Sequence, residues 1–359
     1  MDNEGQIRSK AWEQAHGIVV GSTAGLPDGF AVGFAQNAET GTGCTVVLCE
    51  SGAVGGVAVL GAAPATRETD LLRSENTVDT VHGLVLSGGS AFGLDAASGV
   101  VRLLEERGIG LSFSNRTVPI VVGASLFDLE VGDGKVTPDP EMGYLAAKKA
   151  LSSTGCSLEV GNVGAGTGAT VGKMLGMGFC MKGGFGAASI AVDNLVITAL
   201  VAVNALGCVY DRVANSLVAG VRSPFAPDSL LDPYQALGFL AGMQVEAGMP
   251  ATESATDAAE MDAPIPGSNT TIGCILTNAK LTKTQANRIA LVSHDGYARA
   301  IEPVHTSFDG DAIFCLSHGD VIALADVVGS LAALAMERAV INAVCEAQSA
   351  YGIPAALSL

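Results

Sequence analysis

The stretch NTTIGCILTNAKLTKTQANRIA (269–290) leads from the one clear linker of the chain into a strand and then into a helix. Its first part, TTIGCIL (270–276), is apolar and β-branched, which predicts a buried strand. Its second part predicts a helix from about Lys283 to Ser293. The preceding residues 246–269 are rich in alanine, acids, proline and serine, which is typical of a flexible linker. The abrupt change makes the junction between linker and strand the first candidate for a functional site.

Strand patterns dominate the rest of the chain and occur in blocks. Runs rich in valine, alanine and phenylalanine predict strands at 30–36, 43–50, 53–61, 83–89, 118–127 and 312–318, with two more between 188 and 211. Helical spacing predicts helices at 91–107, 140–152 and 228–243, and a closing helix from an N-cap at Asp320 to about Ala350. Segregated blocks of this kind favour a layered α+β domain over a doubly wound parallel sheet.

Composition and charge exclude several classes of protein. Of the 359 residues, 48% are hydrophobic, 15% are charged and 46 are glycine, which is typical of a compact enzyme with tight turns. The net charge of −17 repels phosphate backbones and acidic lipid surfaces, so we expect neither a nucleic-acid partner nor a membrane partner. The apolar stretch 321–345 contains Asp326, Glu337 and Arg338, which indicates a packed helix and not a membrane span.

The cysteines and the first residues bear on the compartment. Eight cysteines are scattered without a C-x-x-C pair or neighbouring histidines, which indicates reduced core thiols and neither a metal site nor a disulfide framework. The opening segment MDNEGQIRSKAWEQ is polar and charged, so it does not resemble a secretory signal. We therefore expect a cytoplasmic protein without a metal.

A glycine loop, GNVGAGTGATVGK (161–173), invites comparison with phosphate-binding loops. The P-loop template fails, because Thr167 stands where glycine is required and Met174 stands where Ser or Thr would hold magnesium. The dinucleotide template fails as well, because Ala169 replaces its third glycine. A turn that lets the backbone approach a site closely explains the glycines better.

The Asn269–Thr270 junction has a chemistry of its own. A hydroxyl at this position can attack the carbonyl just before it, and hydrolysis of the resulting ester leaves threonine as a free N-terminus. The new α-amino group, with a reference pKa of about 7.7–8.0, is then a base beside the hydroxyl, so no histidine is needed. On the junction alone, an ordinary turn leading into a strand is the better explanation of these residues. Thr271 is a second candidate for the hydroxyl.

Three motifs together resemble the DmpA family: the opening stretch 269–290, SGGSAFGLDAASGV (87–100) and DGDAIF (309–314). This family of N-terminal-nucleophile hydrolases includes L-aminopeptidase/D-esterases, β-peptidyl aminopeptidases and the nylon-oligomer hydrolase NylC. The resemblance spans nearly the whole chain and implies one domain with a four-layer αββα sandwich. It also implies self-cleavage into an α part (1–269) and a β part (270–359), a small amide or peptide substrate, no cofactor, and a homo-oligomer, such as a tetramer of αβ units.

The resemblance assigns roles at the cleavage site. Thr270 matches the nucleophile and Asn269 the residue before the cut. Asp309 and Asp311 match paired acids that orient the nucleophile and its amine. Residues at i and i+2 of an extended segment point the same way, so this spacing suits a joint role. Without the resemblance, the two acids would be an ordinary surface turn.

Four further positions follow from the same resemblance. Asn204 matches the asparagine that stabilises the oxyanion, although by itself it would be a satisfied core side chain. Lys173 matches a site lysine of the nylon-hydrolase branch, and on a glycine loop it could equally be a solvated surface charge. Ser125 and Phe127 line the expected substrate pocket but depart from the aminopeptidase pattern, which has glutamate and tyrosine there. Two nearby acids could replace the missing carboxylate: Asp128 and Glu130.

Three functions therefore remain open from the sequence. The first is a self-processed hydrolase of small amides, such as an aminopeptidase or amidase. The second is an acyltransferase on the same scaffold, because related ornithine acetyltransferases also use an N-terminal threonine. The third is an uncleaved, non-catalytic ligand-binding or oligomer subunit.

Overall fold

The computed structural model describes residues 3–152, 158–226, 228–246 and 268–356. The predicted linker at 246–269 therefore lies mostly outside the described residues. The helices are α1 (Asn3–Ala15), α2 (Ser90–Gly93), α3 (Ala96–Glu106), α4 (Pro140–Ser152), α5 (Pro233–Glu246), α6 (Lys283–Ala300) and α7 (Ala325–Cys345). The strands are β1 (Ile18–Val20), β2 (Ala31–Asn37), β3 (Thr42–Val59), β4 (Ala65–Arg67), β5 (Thr80–Ser87), β6 (Leu111–Phe113), β7 (Arg116–Val118), β8 (Val121–Ser125), β9 (Thr170–Val171), β10 (Met181–Lys182), β11 (Gly184–Val192), β12 (Leu195–Asn204), β13 (Cys208–Asp211), β14 (Ser216–Ala219), β15 (Thr270–Ala279), β16 (Ile301–Glu302) and β17 (Ala312–Val321).

One hydrogen-bonded sheet runs through most of the chain in the order β1-β11-β12-β15-β17-β3-β5-β8-β4, and β2 also pairs with β3. The sequence predicts two strands at 43–50 and 53–61, but the structure joins them into the single long strand β3. The pairing of β3 with β5 shifts register between Leu48 and Ala53, where Gly52 adopts a φ of 85°. An irregularity of this kind bends a strand, so the two halves of β3 belong to two packed layers.

Apolar side chains fill three spaces between four layers. The middle space lies between the two halves of the sheet and includes Phe34, Leu126 and Ile272. Helices α3 and α4 cover the outer face of one half, and α6 and α7 cover the outer face of the other. The result is the layered αββα arrangement of an α+β fold, which confirms the predicted fold class.

The two helices of one outer layer differ in how well the sequence predicts them. Helix α6 begins at a capping box, in which Thr282 accepts from the Gln285 backbone and the Gln285 side chain accepts from the Thr282 N–H. The predicted N-cap of the closing helix at Asp320 is wrong, because that residue still belongs to β17. Helix α7 begins only at Ala325, since the β17 ladder continues to Val321, which pairs with Ala279.

Helix α7 is long and apolar enough to cross a membrane by length and composition alone, and 78% of its apolar window is buried inside the protein. Its Arg338 is almost fully buried and forms ion pairs with Glu13 of α1, at 2.6 Å, and with Asp211 of β13, at 3.1 Å. Helix α7 is therefore a helix of the protein core. The charged residues in its sequence predict a packed helix, and its Arg338 is paired with two buried acids.

Candidate active site

The Asn269–Thr270 junction lies at the start of β15, a central strand between the antiparallel β12 and the parallel β17. Thr270 is directly opposite Asn204 in the register of β15 and β12. Directly opposed residues of an antiparallel pair point to the same face. Ile272, two residues further along, packs in the space between the two sheet layers, so Thr270 and Asn204 also point into that space.

Strand alternation also separates the two candidate threonines. Thr271 points to the opposite face, where Ile275 of the same parity packs against helices α6 and α7. Its Oγ1 is buried and has no hydrogen-bond partner among the residues that the structure describes. Thr270 is therefore the hydroxyl on the same face as Asn204.

The Thr270 hydroxyl lies against the peptide bond that precedes it. Thr270 Oγ1 is 2.5 Å from the Asn269 carbonyl oxygen, and both residues are buried. The same carbonyl oxygen accepts a hydrogen bond of 2.8 Å from the backbone N–H of Gly310. The Asn269 carbonyl oxygen therefore accepts from both the Thr270 hydroxyl and the Gly310 N–H, which places the hydroxyl directly beside the preceding peptide bond.

Asn204 is fully buried, and its neighbours fix the orientation of its side-chain amide. Its Oδ1 accepts from Lys173 Nζ at 2.9 Å and from the Thr170 backbone N–H at 3.0 Å. Its Nδ2 donates to the Phe127 carbonyl at 2.8 Å. A backbone N–H can only donate and a carbonyl can only accept, so the Thr170 and Phe127 contacts fix this assignment. No second hydrogen bond from Nδ2 is formed among the residues that the structure describes.

Lys173 lies inside the site and not on the surface, although it follows a glycine loop. Its Nζ donates to Asn204 Oδ1, to the Asn204 carbonyl at 3.3 Å and to the Ser268 carbonyl at 3.2 Å. Burial lowers the pKa of Lys173 to about 8, because an ammonium loses hydration in the interior, while nearby acidic groups oppose the shift. The surface interpretation of this lysine is therefore wrong.

Asp309 and Asp311 hold the segment that flanks the junction. Asp311 accepts the backbone N–H of Thr271 at 2.7 Å, and Asp309 accepts the Thr306 N–H at 2.8 Å and the Thr306 hydroxyl at 2.5 Å. Burial, followed by repulsion from Asp311, raises the pKa of Asp309. Both acids are almost fully buried, so the surface-turn interpretation fails for them. Through the Thr271 amide, Asp311 fixes where β15 begins.

The expected pocket residues occupy different places. Phe127 is half-buried and reaches the site through its carbonyl, which accepts from Asn204. The Ser125 hydroxyl is buried and lies 2.7 Å from the Ser87 hydroxyl. Asp128 is buried too, but its carboxylate accepts from the Gly89 N–H at 2.6 Å and from Thr42 Oγ1 at 2.7 Å, and Glu130 is exposed. Asp128 therefore closes the turn after β5, and its burial raises its pKa.

Two residues of the site were not found from the sequence. His305 donates from Nδ1 to Asp311 Oδ2 at 2.8 Å and adopts a left-handed φ of 55°. Gly310 supplies the N–H on the Asn269 carbonyl. The sequence signal that could have identified His305 and Gly310 is their position in the same short segment as Asp309 and Asp311. Among the described residues, no group of three or more His, Cys, Asp or Glu could hold a metal ion.

Solved structures share this fold. The chain superposes on a β-aminopeptidase of Burkholderia sp. with a TM-score of 0.60 and 18% identity, over 93% of this chain and 91% of that one. It matches the L-aminopeptidase D-Ala-esterase/amidase of Ochrobactrum anthropi, described as a variant of the Ntn-hydrolase fold, with a TM-score of 0.61 and 20% identity, over 92% and 88%. The chain therefore shares the fold of these two enzymes.

Sequence relatives are closer. An uncharacterized aminopeptidase of Mycobacterium leprae is 39% identical over 332 residues, covering 87% of this chain and 84% of the relative. A 6-aminohexanoate-oligomer endohydrolase of Paenarthrobacter ureafaciens is 28% identical over 300 residues, covering 82% and 74%. Fold and relatives together define a hydrolase of amide or peptide bonds. The chain belongs to peptidase family S58, whose family model matches residues 17–356, which confirms the resemblance found in the sequence.

Proposed function

We propose that the chain cuts itself between Asn269 and Thr270, and that Thr270 then hydrolyses small amide or peptide bonds as an N-terminal nucleophile. The observation that carries the proposal is the 2.5 Å separation between Thr270 Oγ1 and the Asn269 carbonyl oxygen at a buried strand start. The proposal makes the two fragments 269 and 90 residues long, the latter from 359 − 269.

Self-cleavage proceeds in two steps, the formation of an ester and its hydrolysis. Thr270 Oγ1 bonds to the Asn269 carbonyl carbon, the hydroxyl proton passes to a base and then to the Thr270 nitrogen, and the C–N bond breaks. This leaves an ester and a free amine. Water then adds to the ester carbonyl, the bond to Oγ1 breaks, and the products are the Asn269 carboxylate and the Thr270 hydroxyl.

Lys173 is the base that we assign to the first step. Its Nζ donates to the carbonyl of Ser268, the residue before Asn269. It also donates to Oδ1 of Asn204, which lies opposite Thr270 in the sheet. A pKa of about 8 leaves about a tenth of such a lysine neutral at pH 7, which is enough to accept a proton.

After cleavage, the Thr270 amine takes over as the base for turnover. A terminal amine has a reference pKa of about 7.7–8.0, so part of it is neutral at physiological pH. The substrate carbonyl carbon bonds to Oγ1, and we assign the second Nδ2 hydrogen of Asn204 as the donor to the oxygen on which charge develops. An acyl-enzyme forms and water hydrolyses it. An added amine that captures the acyl group faster than water does would favour acyl transfer instead.

The substrate class follows from what lines the site. The position at which aminopeptidases of the resembled family have an acid is Ser125, and its hydroxyl is engaged by Ser87. Of the two acids that could replace it, Asp128 is held by its own turn and Glu130 is exposed. We therefore propose that recognition does not depend on a free N-terminal ammonium, and that linear oligoamides are cleaved at least as well as aminoacyl-p-nitroanilides. A panel of both substrates, each with and without an acetylated amine, measures this directly.

Two single substitutions test the proposal. Thr270→Ala should give one intact chain, and Thr271→Ala, which removes the neighbouring hydroxyl on the opposite sheet face, should still give two fragments. Intact mass and N-terminal sequencing of the smaller fragment, expected to begin Thr-Thr-Ile-Gly, give the answer. A wild-type chain that stays in one piece after long incubation at neutral pH would refute self-cleavage.

A further inference from the structure

The backbone N–H of Gly310 is the group that contacts the oxygen of the scissile bond. It donates to the Asn269 carbonyl at 2.8 Å, next to an isolated parallel bridge between Asn269 and Asp309. This bridge has the same register as the pairing of β15 with β17 and lies three residues before its first pair, Ile272 with Ala312. The hydrogen bond is thus part of the sheet, and the sheet holds the donor in place before any reaction begins.

We propose that the Gly310 N–H is the oxyanion donor for self-cleavage, and that it is distinct from Asn204, which serves the substrate. When Thr270 attacks, the π electrons of the Asn269 carbonyl move onto the oxygen that Gly310 already contacts. A donor fixed in advance stabilises this charge without reorganisation. Asn204 Nδ2 instead donates to the Phe127 carbonyl in the uncut chain. This inference rests on the proposed self-cleavage.

The surroundings of Gly310 keep its amide in one position. The N–H of Ala63 donates to the Asp309 carbonyl at 3.0 Å, and the N–H of Leu60 donates to the Asp311 carbonyl at 3.0 Å. A Cβ at position 310 would lie 2.6 Å from the Ala63 oxygen and 2.9 Å from Thr270 Oγ1. Any side chain would therefore push against the attacking hydroxyl, which explains why the donor is a glycine.

The test replaces the backbone N–H of residue 310 by an oxygen atom. Cell-free translation with glycolic acid in place of Gly310 converts this amide into an ester that lacks the N–H but keeps the shape. The matched control uses lactic acid in place of Ala63, which removes a hydrogen bond of similar length, to the neighbouring Asp309 carbonyl, without touching Asn269. The rate of fragment formation is followed by gel electrophoresis and intact mass.

We expect the ester at 310 to slow cleavage by roughly 10²- to 10³-fold, as loss of an oxyanion donor does. The ester at 63 should slow it by no more than about fivefold, the effect of one ordinary hydrogen bond. Equal rates for the two esters would overturn the assignment. If the chain without any ester also stays uncut, the proposed self-cleavage is refuted, and the role of Gly310 is refuted with it.

A second measurement tests the separation from turnover. In chains that carry the ester at 310 and have been cut after long incubation, kcat should fall by much less than the rate of cleavage does. A kcat that falls as far as the cleavage rate would show that Gly310 also serves the substrate oxyanion, and would overturn the division of labour with Asn204. Gly310→Ala provides an encoded variant, for which slow cleavage is expected from contact of its methyl group with Thr270 Oγ1.

Discussion

The rate of self-cleavage should rise with pH through the titration of Lys173. Its ammonium is buried, and burial lowers its pKa to about 8. A base must be unprotonated to act, so the rate follows the neutral fraction of this lysine. The uncut chain is the right species for this measurement, because the Thr270 amine, which titrates in a similar range, does not yet exist.

The magnitude follows from the pKa. A lysine with a pKa of about 8 is neutral in about 1% of molecules at pH 6 and in about half of them at pH 8. We therefore expect the cleavage rate to rise roughly 50-fold between these values and to level off above about pH 8.5. Lys173→Met should cleave very slowly and lose this dependence.

The assay starts from chain translated at pH 6, where cleavage is slow, and follows the two fragments after transfer to buffers of higher pH. Lys182→Met is the matched control. Lys182 is also fully buried, and burial lowers its pKa to about 7, but its Nζ donates to the carbonyls of Thr167 and Ala169, away from the scissile bond. This variant should keep the dependence on pH. A rate that is flat from pH 6 to 8 would refute the base assignment, and a rate that falls through pH 8 would show that the ammonium is needed instead.

Three further outcomes are expected. In a Thr270→Ala chain, the free energy of unfolding should rise by about 2 kcal/mol from pH 7 to 8.5. The reason is that Lys173 and Lys182 have lowered pKa values in the folded chain, so the unfolded state binds more protons in this range. Urea titrations that show no rise would contradict this. His305→Ala should slow cleavage by roughly 10- to 100-fold, because Asp311 loses a charge-assisted hydrogen bond, whereas His305→Asn, which restores an N–H donor, should recover most of the rate. The control His318→Ala should have no effect, and failure of the asparagine to rescue would show that His305 does not act through this hydrogen bond. Asn204→Ala should lower kcat by roughly 10²- to 10³-fold in steady-state assays of cut chains, and an unchanged kcat would remove it from the oxyanion site.

Local signals in the sequence predicted the elements that carry the site. The run from Thr270 to Leu276 has the apolar, β-branched character of a central strand, and it forms one. Helix α6 follows it with a capping box, a signal that spans only a few residues. Signals of this kind are local because they depend on side chains within a turn or two of each other.

Other elements could not be predicted, because their cause lies far away in the chain. Helix α1 has a polar sequence with no clear apolar stripe, and it is anchored to the fold through the buried pair of Glu13 with Arg338 of α7. The end of β17 at Val321 depends on pairing with Ala279. For this reason the local signal at Asp320 gave a wrong prediction of where the closing helix begins.

Periodicity and motifs are properties of the chain, so the residue types of the site, the layered fold and the family could be predicted from them. The folded structure was needed to establish that Thr270 and not Thr271 faces Asn204, that Lys173 is buried, and that Gly310 contacts the Asn269 carbonyl. The physical reason is strand register. A shift of one residue turns every side chain to the opposite face, and register is set by partner strands distant in sequence.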